Sequence, residues 1–144
     1  MNEILSRSET ETEDAGRRLA AELSPDDVVY LRGDLGAGKT AFVRGLAAGL
    51  CARDREVASP TFAIVHEYAD AREVVVLRHL DLYRLEDDTR ELEALGLPEA
   101  LSGAPLAVEW PGKAVRALLP PTIEVQIARR GDGEREITVQ RAKR

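Results

Sequence analysis

Residues Tyr30–Phe42, YLRGDLGAGKTAF, place a glycine-rich run between a short apolar segment and a segment of helical composition. The preceding DVVYLRG is typical of a short buried strand, because β-branched and aromatic residues run unbroken into a glycine. Gly33, four further residues and then Gly38-Lys39-Thr40 match the pattern G-x-x-x-x-G-K-[ST]. A strand, a glycine-rich turn and a helix in this order predict a cradle of backbone N–H groups around phosphate.

The residues of this glycine-rich loop (Gly33–Thr40) suit a nucleotide with Mg²⁺. Glycines let N–H groups turn toward phosphate oxygens, and the helix that follows directs its positive end at them. Lys39 would neutralise the β and γ phosphates, and the Thr40 hydroxyl would take one site on Mg²⁺. A glycine-rich turn without a ligand is the weaker interpretation. The loop residues predicted to bind nucleotide are Asp34, Leu35, Gly36, Ala37, Gly38, Lys39 and Thr40.

Two other predicted strands end in carboxylates. Asp81 closes the apolar run VVVLRHLD in the manner of a Walker B acid, and Glu109 closes PLAVE. Ligands of open α/β sheets bind at the carboxyl ends of the strands, so we expect both acids near Mg²⁺. Each acid alone is also compatible with a solvated strand end. That interpretation is weaker for the pair, because an acid at the end of a buried strand is costly unless a cation meets it.

Three other polar features leave alternatives open. The bend SPTF places the hydroxyls of Ser59 and Thr61 around a proline, either as a switch segment that reaches the γ phosphate or as a simple turn. His79 shares a strand face with Asp81, and a structural role is favoured over a catalytic one. Residues 121–144 carry six basic residues against four acids, a cluster interpreted as solvated strand ends and a fraying terminus.

The remaining patterns predict one α/β domain over residues 1–144. Ser8 and Glu11 form a capping box that opens a helix, and EDDTRELEALGLPEAL returns to helical spacing. APLAVEW is typical of a core strand, and the strands TIEVQIARR and REITVQR flank the hairpin turn GDG. Helices that alternate with apolar strands predict a P-loop NTPase-like three-layer fold, with a mostly parallel central sheet and a C-terminal β-hairpin.

Composition limits the class and the location of the protein. The chain of 144 residues has a net charge of −6 and no marked basic face, so any role with nucleic acid is expected to run through a partner. The N-terminus lacks the basic start and apolar middle of a secretory signal, and no apolar run approaches the length of a membrane span. With Cys51 as the single cysteine, a cytoplasmic location without membrane association is expected.

The ordered motifs GDLGAGKT, SPTF, HLDLYRL and VEW resemble those of the TsaE family of bacterial P-loop ATPases. The resemblance covers most of the chain and implies Mg²⁺-dependent ATP hydrolysis in the biosynthesis of threonylcarbamoyladenosine (t6A) in tRNA. It implies TsaB and TsaD as protein partners, with TsaC supplying the threonylcarbamoyl-adenylate donor. Hydrolysis would reset the complex between turnovers, and tRNA would be contacted only indirectly.

The resemblance also implies roles for residues in the last two motifs. Asp81 and Glu109 would be the catalytic acids and would join Thr40 as metal ligands. Trp110 would belong to the same functional motif as Glu109.

Two further assignments follow from the resemblance alone. Ser59 and Thr61 would form a switch-like segment, with Thr61 close to the nucleotide. Glu9 or Thr10, at the start of the first predicted helix, would lie by the adenine.

Two rival functions use the same cradle. A regulatory GTPase needs an Asn-Lys-x-Asp guanine reader, which the sequence excludes because its only asparagine is Asn2. A small P-loop kinase of a small-molecule acceptor stays open, although its acceptor pocket and lid would have to fit in the chain that follows the loop.

Overall fold

The structure, a computed structural model, describes residues 2–34, 36–53, 56–58, 65–82, 89–94 and 102–142. These residues form an eight-stranded sheet with helices on both of its faces. The strands are β1 (Asn2–Ser6), β2 (Val28–Arg32), β3 (Glu56–Ala58), β4 (Val65–Ala69), β5 (Val75–Asp81), β6 (Leu106–Glu109), β7 (Ile123–Arg129) and β8 (Arg135–Arg141). The helices are α1 (Glu9–Ala20), α2 (Lys39–Gly49), α3 (Thr89–Ala94) and α4 (Lys113–Leu118).

The sheet is parallel in its middle and antiparallel at both margins. In the strand order β1-β8-β7-β2-β6-β5-β4-β3, the four strands from β7 to β5 pair in parallel. On either side of them the pairings are antiparallel. The prediction of a mostly parallel sheet is therefore right for the centre and wrong for the margins, where the short connections from β4 to β5 and from β7 to β8 allow only antiparallel pairing. The predicted C-terminal hairpin is confirmed as β7 and β8.

The sequence patterns miss three elements, which are β1, β3 and α4. Strand β1 pairs with β8 and places Ile4 opposite Ile137. Pairing with β8 therefore stabilises β1 more than the composition of β1 does. Helix α4 has only six residues and lies between prolines, so its apolar residues are too few to show a helical period. In the part of the chain that the structure describes, no helix is long and apolar enough to cross a membrane.

Strand β2 shows how the sheet separates two layers of core. Val29 and Leu31 belong to the cluster formed with α1 and α2, whereas Tyr30 belongs to the cluster formed with α3 and α4. All three side chains are fully buried. The Tyr30 hydroxyl donates a hydrogen bond to the carbonyl of Leu119 at 2.6 Å. The unbroken apolar run of β2 is thus explained by burial on both faces of the sheet, which gives the three predicted layers.

Helix α1 begins as its capping box predicts. The Glu11 N–H donates to the Ser8 hydroxyl at 3.1 Å, and the Glu11 carboxylate accepts from the Arg7 N–H at 3.1 Å. The bond to Ser8 satisfies a donor that the first turn of a helix leaves without a partner, and the bond from Arg7 fixes the chain just before the N-cap.

Helices α1 and α2 approach each other through glycines. A Cβ atom at Gly16 would collide with the carbonyl of Phe42, and one at Gly45 would collide with the carbonyl of Glu13. Because backbone meets backbone here, the start of α2 is fixed relative to the start of α1.

We expect Gly45→Ala to lower the free energy of unfolding by about 1–3 kcal/mol, because the added methyl group meets the Glu13 carbonyl. Helix propensity alone predicts the opposite sign, a gain of about 1 kcal/mol. Urea unfolding should be compared with that of Gly131→Ala, where a Cβ atom meets nothing within 4 Å. A Gly45→Ala protein more stable than the wild type would contradict the close packing of the two helices.

Candidate functional site

The glycine-rich loop connects β2 to α2 at the carboxyl end of the parallel strands. Gly36 and Gly38 have φ angles of 77° and 114°, a region that L side chains rarely adopt. The Ala37 N–H donates to the Asp34 carbonyl at 3.0 Å and closes a turn within the loop. Helix α2 begins at Lys39, and its N-cap Gly38 has no side chain with which to cap the first N–H groups. The loop therefore presents an uncapped helix start, which favours an anion.

Lys39 carries a buried ammonium group at this helix start. The residue is 5% exposed, and its Nζ atom finds no hydrogen-bond acceptor among the described residues. Nζ lies 3.5 Å from the centroid of the Trp110 ring, and Trp110 itself has a φ angle of 58°. Burial lowers the pKa of Lys39, and nearby carboxylates, Glu109 foremost, oppose that shift. A buried ammonium without an acceptor fits an anionic ligand such as phosphate.

Asp81 and Glu109 end neighbouring parallel strands and are register partners in the β5–β6 pair. Both line a cavity of about 420 Å³, the main cavity, together with Lys39 and Thr40. Glu109 is 7% exposed and Asp81 is half-buried. The structure thus brings the two strand-end acids to the same cavity as the end of the loop.

His79 contacts one of these acids directly. Its Nε2 atom lies 2.5 Å from Oε2 of Glu109, and both side chains are buried. Burial raises the pKa of Glu109, but the hydrogen bond and charge of His79, with the charge of Lys39, bring it below the usual 4.5. Glu109 is therefore ionised at neutral pH. The sequence favours a structural role for His79. The structure places that role inside the site, because the imidazole orients Glu109.

Helix α1 and the C-terminal hairpin form the other walls of the main cavity. Their lining residues are Ser8, Glu9, Thr12, Gly133 and Arg135. Glu9 also accepts a hydrogen bond from Arg44 at 2.8 Å. Thr10 lies on the exposed side of α1 and does not line this cavity. An adenine contact by Glu9 or Thr10 stays a prediction, for which Glu9 has the better position.

Three predicted site residues, Leu35, Ser59 and Thr61, lie outside the residues that the structure describes. Their roles stay predictions. Asp34 borders a neighbouring cavity of about 350 Å³, which it shares with Lys39 and Trp110, and does not line the main cavity.

Two arginines of the C-terminal hairpin contact the loop. Arg129 Nη2 donates to the Gly36 carbonyl at 3.0 Å, and Arg135 Nε donates to the Ala37 carbonyl at 2.8 Å. Both arginines lie at strand ends, as the interpretation of the basic cluster in residues 121–144 expects, but they also hydrogen-bond the loop, which that interpretation does not include. The partners lie more than ninety positions apart in the chain, so no local pattern indicates the contact.

The oxygen atoms around the main cavity suit Mg²⁺. Thr40 supplies a hydroxyl, and Asp81 and Glu109 supply carboxylates, the ligand types that Mg²⁺ prefers. The described residues contain no group of three or more His, Cys, Asp or Glu side chains that could hold a metal ion by themselves. Mg²⁺ sites often use one or two carboxylates together with waters and substrate phosphates, and Asp81 and Glu109 would supply the carboxylates.

The fold and the site define a class of protein: mixed α/β proteins in which a glycine-rich loop and strand-end acids meet at the carboxyl edge of the sheet. A family model described as "Threonylcarbamoyl adenosine biosynthesis protein TsaE" matches residues 6–137. The chain belongs to the TsaE family.

Curated relatives and a solved structure agree with this assignment. A protein of Bacillus subtilis (strain 168) named "tRNA threonylcarbamoyladenosine biosynthesis protein TsaE" is 45% identical over 129 residues, covering 89% of this chain and 78% of the relative. A protein of the same name from Streptomyces coelicolor is 40% identical over 128 residues, with 86% of each chain covered. The crystal structure of Bacillus subtilis YdiB matches with a TM-score of 0.73 and 36% identity, covering 99% of this chain and 86% of that one.

We expect His79→Ala to lower the free energy of unfolding by about 1.5–3 kcal/mol at neutral pH, because it leaves an ionised carboxylate buried without this partner. In a Glu109→Gln background the same substitution should cost less, since no charge is left behind. Urea unfolding of the wild type, both single variants and the double variant gives the coupling energy.

The exposed pair Arg116 and Glu124, joined at 3.0 Å, is the matched control, with an expected coupling energy of less than about 1 kcal/mol. A coupling energy for His79 and Glu109 no larger than that of the control would contradict the role of His79 as the partner of a buried charge.

Proposed function

We propose that this chain binds ATP with Mg²⁺ and hydrolyses it as the TsaE component of tRNA t6A biosynthesis. The observation that carries the proposal is the buried Lys39 ammonium, which has no acceptor among the described residues and lines the same cavity as Asp81 and Glu109. Membership of the TsaE family supports the pathway, and the geometry of the loop supports the phosphate chemistry.

The loop and α2 would hold the phosphates of ATP. Backbone N–H groups at the start of α2 donate to the phosphate oxygens, and the helix adds its positive end. Lys39 supplies the compensating charge, exchanging its contact with the Trp110 ring for a phosphate oxygen. An ion pair is stronger than a cation–π contact in such a buried place, so the exchange favours the bound state.

Thr40, Asp81 and Glu109 are the residues that would hold Mg²⁺. When held by these residues, the ion would neutralise phosphate charge and orient the groups that react. His79 fixes the orientation of Glu109 and keeps its carboxylate ionised, so that the acid stays available as a ligand or as a base. Hydrolysis would then depend on positioning and charge, as phosphoryl transfer generally does.

The partners proposed for the chain are TsaB and TsaD, and ATP hydrolysis would reset their complex between turnovers. The net charge of −6 supports an indirect contact with tRNA, because a protein that grips nucleic acid by itself needs a basic face. The ATPase would then support multiple rounds of modification and not the transfer chemistry itself.

A small-molecule kinase is the second candidate, and one observation favours it. A further cavity of about 650 Å³ shares Thr40, Asp81 and Glu109 with the main cavity and has Arg44 and Arg53 in its lining. An acceptor seated there would lie beside the same acids. The family assignment favours the ATPase, and incubation with ATP alone separates the two functions.

For Asp81→Asn and Glu109→Gln we expect ATP to bind while its hydrolysis falls by at least about a hundredfold, because each removes a charged group beside the reacting phosphate. Calorimetric titration measures binding, and phosphate release without an acceptor measures hydrolysis. Glu124→Gln is the matched control, since Glu124 is a strand carboxylate that pairs with Arg32 and Arg116 outside the main cavity. Unchanged hydrolysis in both site variants would remove these acids from the catalytic set.

Reconstitution tests the biological role. We expect t6A formation on tRNA by TsaB, TsaD and the donor-forming enzyme to continue past one turnover only when this chain is present with ATP. Lys39→Ala should fail to replace the wild type, because it removes the charge that meets the phosphates. Multiple turnovers in the absence of the chain would refute the pathway assignment, and phosphate transfer that requires a small acceptor would favour the kinase.

A further inference from the structure

We propose that Arg135, together with Arg129, holds the glycine-rich loop in its ligand-binding shape, which makes the C-terminal hairpin a positioning element of the nucleotide site. The inference rests on the proposed function, because it concerns how the loop receives a phosphate. Neither arginine belongs to the loop motif or to the strand-end acids.

The backbone carbonyls of the loop need hydrogen-bond donors, and the two arginines supply them. When successive N–H groups turn toward an anion, the carbonyls of the same peptides turn away and need donors elsewhere. The Ala37 carbonyl, which shares its peptide with the Gly38 N–H next to the helix start, obtains such a donor from Arg135 at 2.8 Å. The Gly36 carbonyl accepts from Arg129 at 3.0 Å, and the N–H of the same peptide closes the turn with Asp34. Hydrogen bonds from a charged donor are stronger than neutral ones, so they resist rotation of these peptides.

Arg135 uses all of its guanidinium nitrogens for backbone carbonyls. Nε donates to Ala37, Nη2 donates to Gly36 at 3.4 Å, and Nη1 donates to Glu134 at 3.2 Å. The rigid planar fork thus connects two consecutive loop peptides to the turn of its own hairpin. The side chain is half-buried and also lines the main cavity.

The guanidinium of Arg129 approaches Gly36 closely. A Cβ atom at this position would meet Nη2 of Arg129, the end of a flexible side chain that can move aside, so the requirement for glycine here comes from the φ angle of 77°. The two guanidinium groups also place positive charge next to the helix start, which adds to its attraction for an anion.

The hairpin connects the loop to α1 through β1. Arg135 is the register partner of Arg129 in β7 and of Ser6 in β1. The buried hydroxyl of Ser6 lies 2.7 Å from that of Thr12 in α1, which lines the main cavity. Occupation of the loop should therefore stabilise the hairpin, and by reciprocity any contact that shifts the hairpin should change the affinity for nucleotide.

Calorimetric titration of the full chain with Mg-ADP tests this role. We expect Arg135→Gln to raise the dissociation constant by about tenfold or more, because the loop loses two charge-assisted hydrogen bonds. Arg135→Lys should lie between the wild type and Arg135→Gln, since a lysine keeps the charge but cannot span two carbonyls. Arg130→Gln is the matched control, because Arg130 is on the same hairpin and pairs with Glu136, away from the loop. Its affinity should equal that of the wild type.

Loss of stability alone is tested with Ile137→Val, which removes a methyl group from the buried core of β8 without touching the loop. We expect this variant to lower the Tm of the nucleotide-free protein but to keep both its affinity for Mg-ADP and the Tm rise that Mg-ADP produces. Arg135→Gln should lose most of that rise. Wild-type affinity in Arg135→Gln, or an equal loss of affinity in Ile137→Val, would overturn the proposal.

Hydrogen exchange of the nucleotide-free chain separates this proposal from the proposed function. Arg135→Gln should speed the exchange of the amides of residues 36–40, whereas Arg130→Gln should not. Failure of the wild type to bind ATP or ADP would refute the proposed function, while faster loop exchange would still support the positioning role of Arg135. Unchanged loop exchange would overturn that role even if the wild type binds nucleotide.

Discussion

The glycine-rich loop needs hydrogen-bond donors for the carbonyls of Gly36 and Ala37, while the N–H groups at the start of α2 stay uncapped. The structure around the loop meets the first requirement from a distant part of the chain. A chain that directs consecutive N–H groups at one point leaves its carbonyls directed outward. Positive φ angles at Gly36 and Gly38 make the turn possible, and guanidinium groups from the far end of the sequence satisfy the outward side. The strand order of the sheet allows this meeting, because β7 lies directly beside β2.

Charge balance within the site follows from burial. Lys39 and Glu109 are both nearly inaccessible to water, and either one alone would be costly to bury. Each lowers that cost for the other, while His79 on Glu109 and Trp110 on Lys39 complete the arrangement. An ammonium group, a helix start and two strand-end carboxylates in one cavity favour an anion that brings a cation with it. This is why we propose a nucleotide with Mg²⁺ as the ligand.

The sequence predicts those parts of the molecule that local chemistry determines. The loop follows from its glycines, the capping box from Ser8 and Glu11, and the meeting of Asp81 with Glu109 from the parallel strands that they end. Strand β1 and the role of Arg135 could not be predicted, because each depends on a partner about a hundred positions or more away. The antiparallel pairing at the margins of the sheet could not be predicted for a related reason. The composition of a strand does not determine which strand it pairs with.

The glycine contacts between α1 and α2 make the two helices one rigid body. Because backbone meets backbone at Gly16 and Gly45, neither helix can slide or tilt without breaking the contact. One wall of the main cavity, with Glu9 and Thr12, therefore moves together with its floor, which carries Lys39. Among the described residues, the hairpin tip with Gly133 and the segment after β6 with Trp110 line the cavity outside this rigid pair of helices. A protein that docks against either part would reach the site from the side that the two helices do not form.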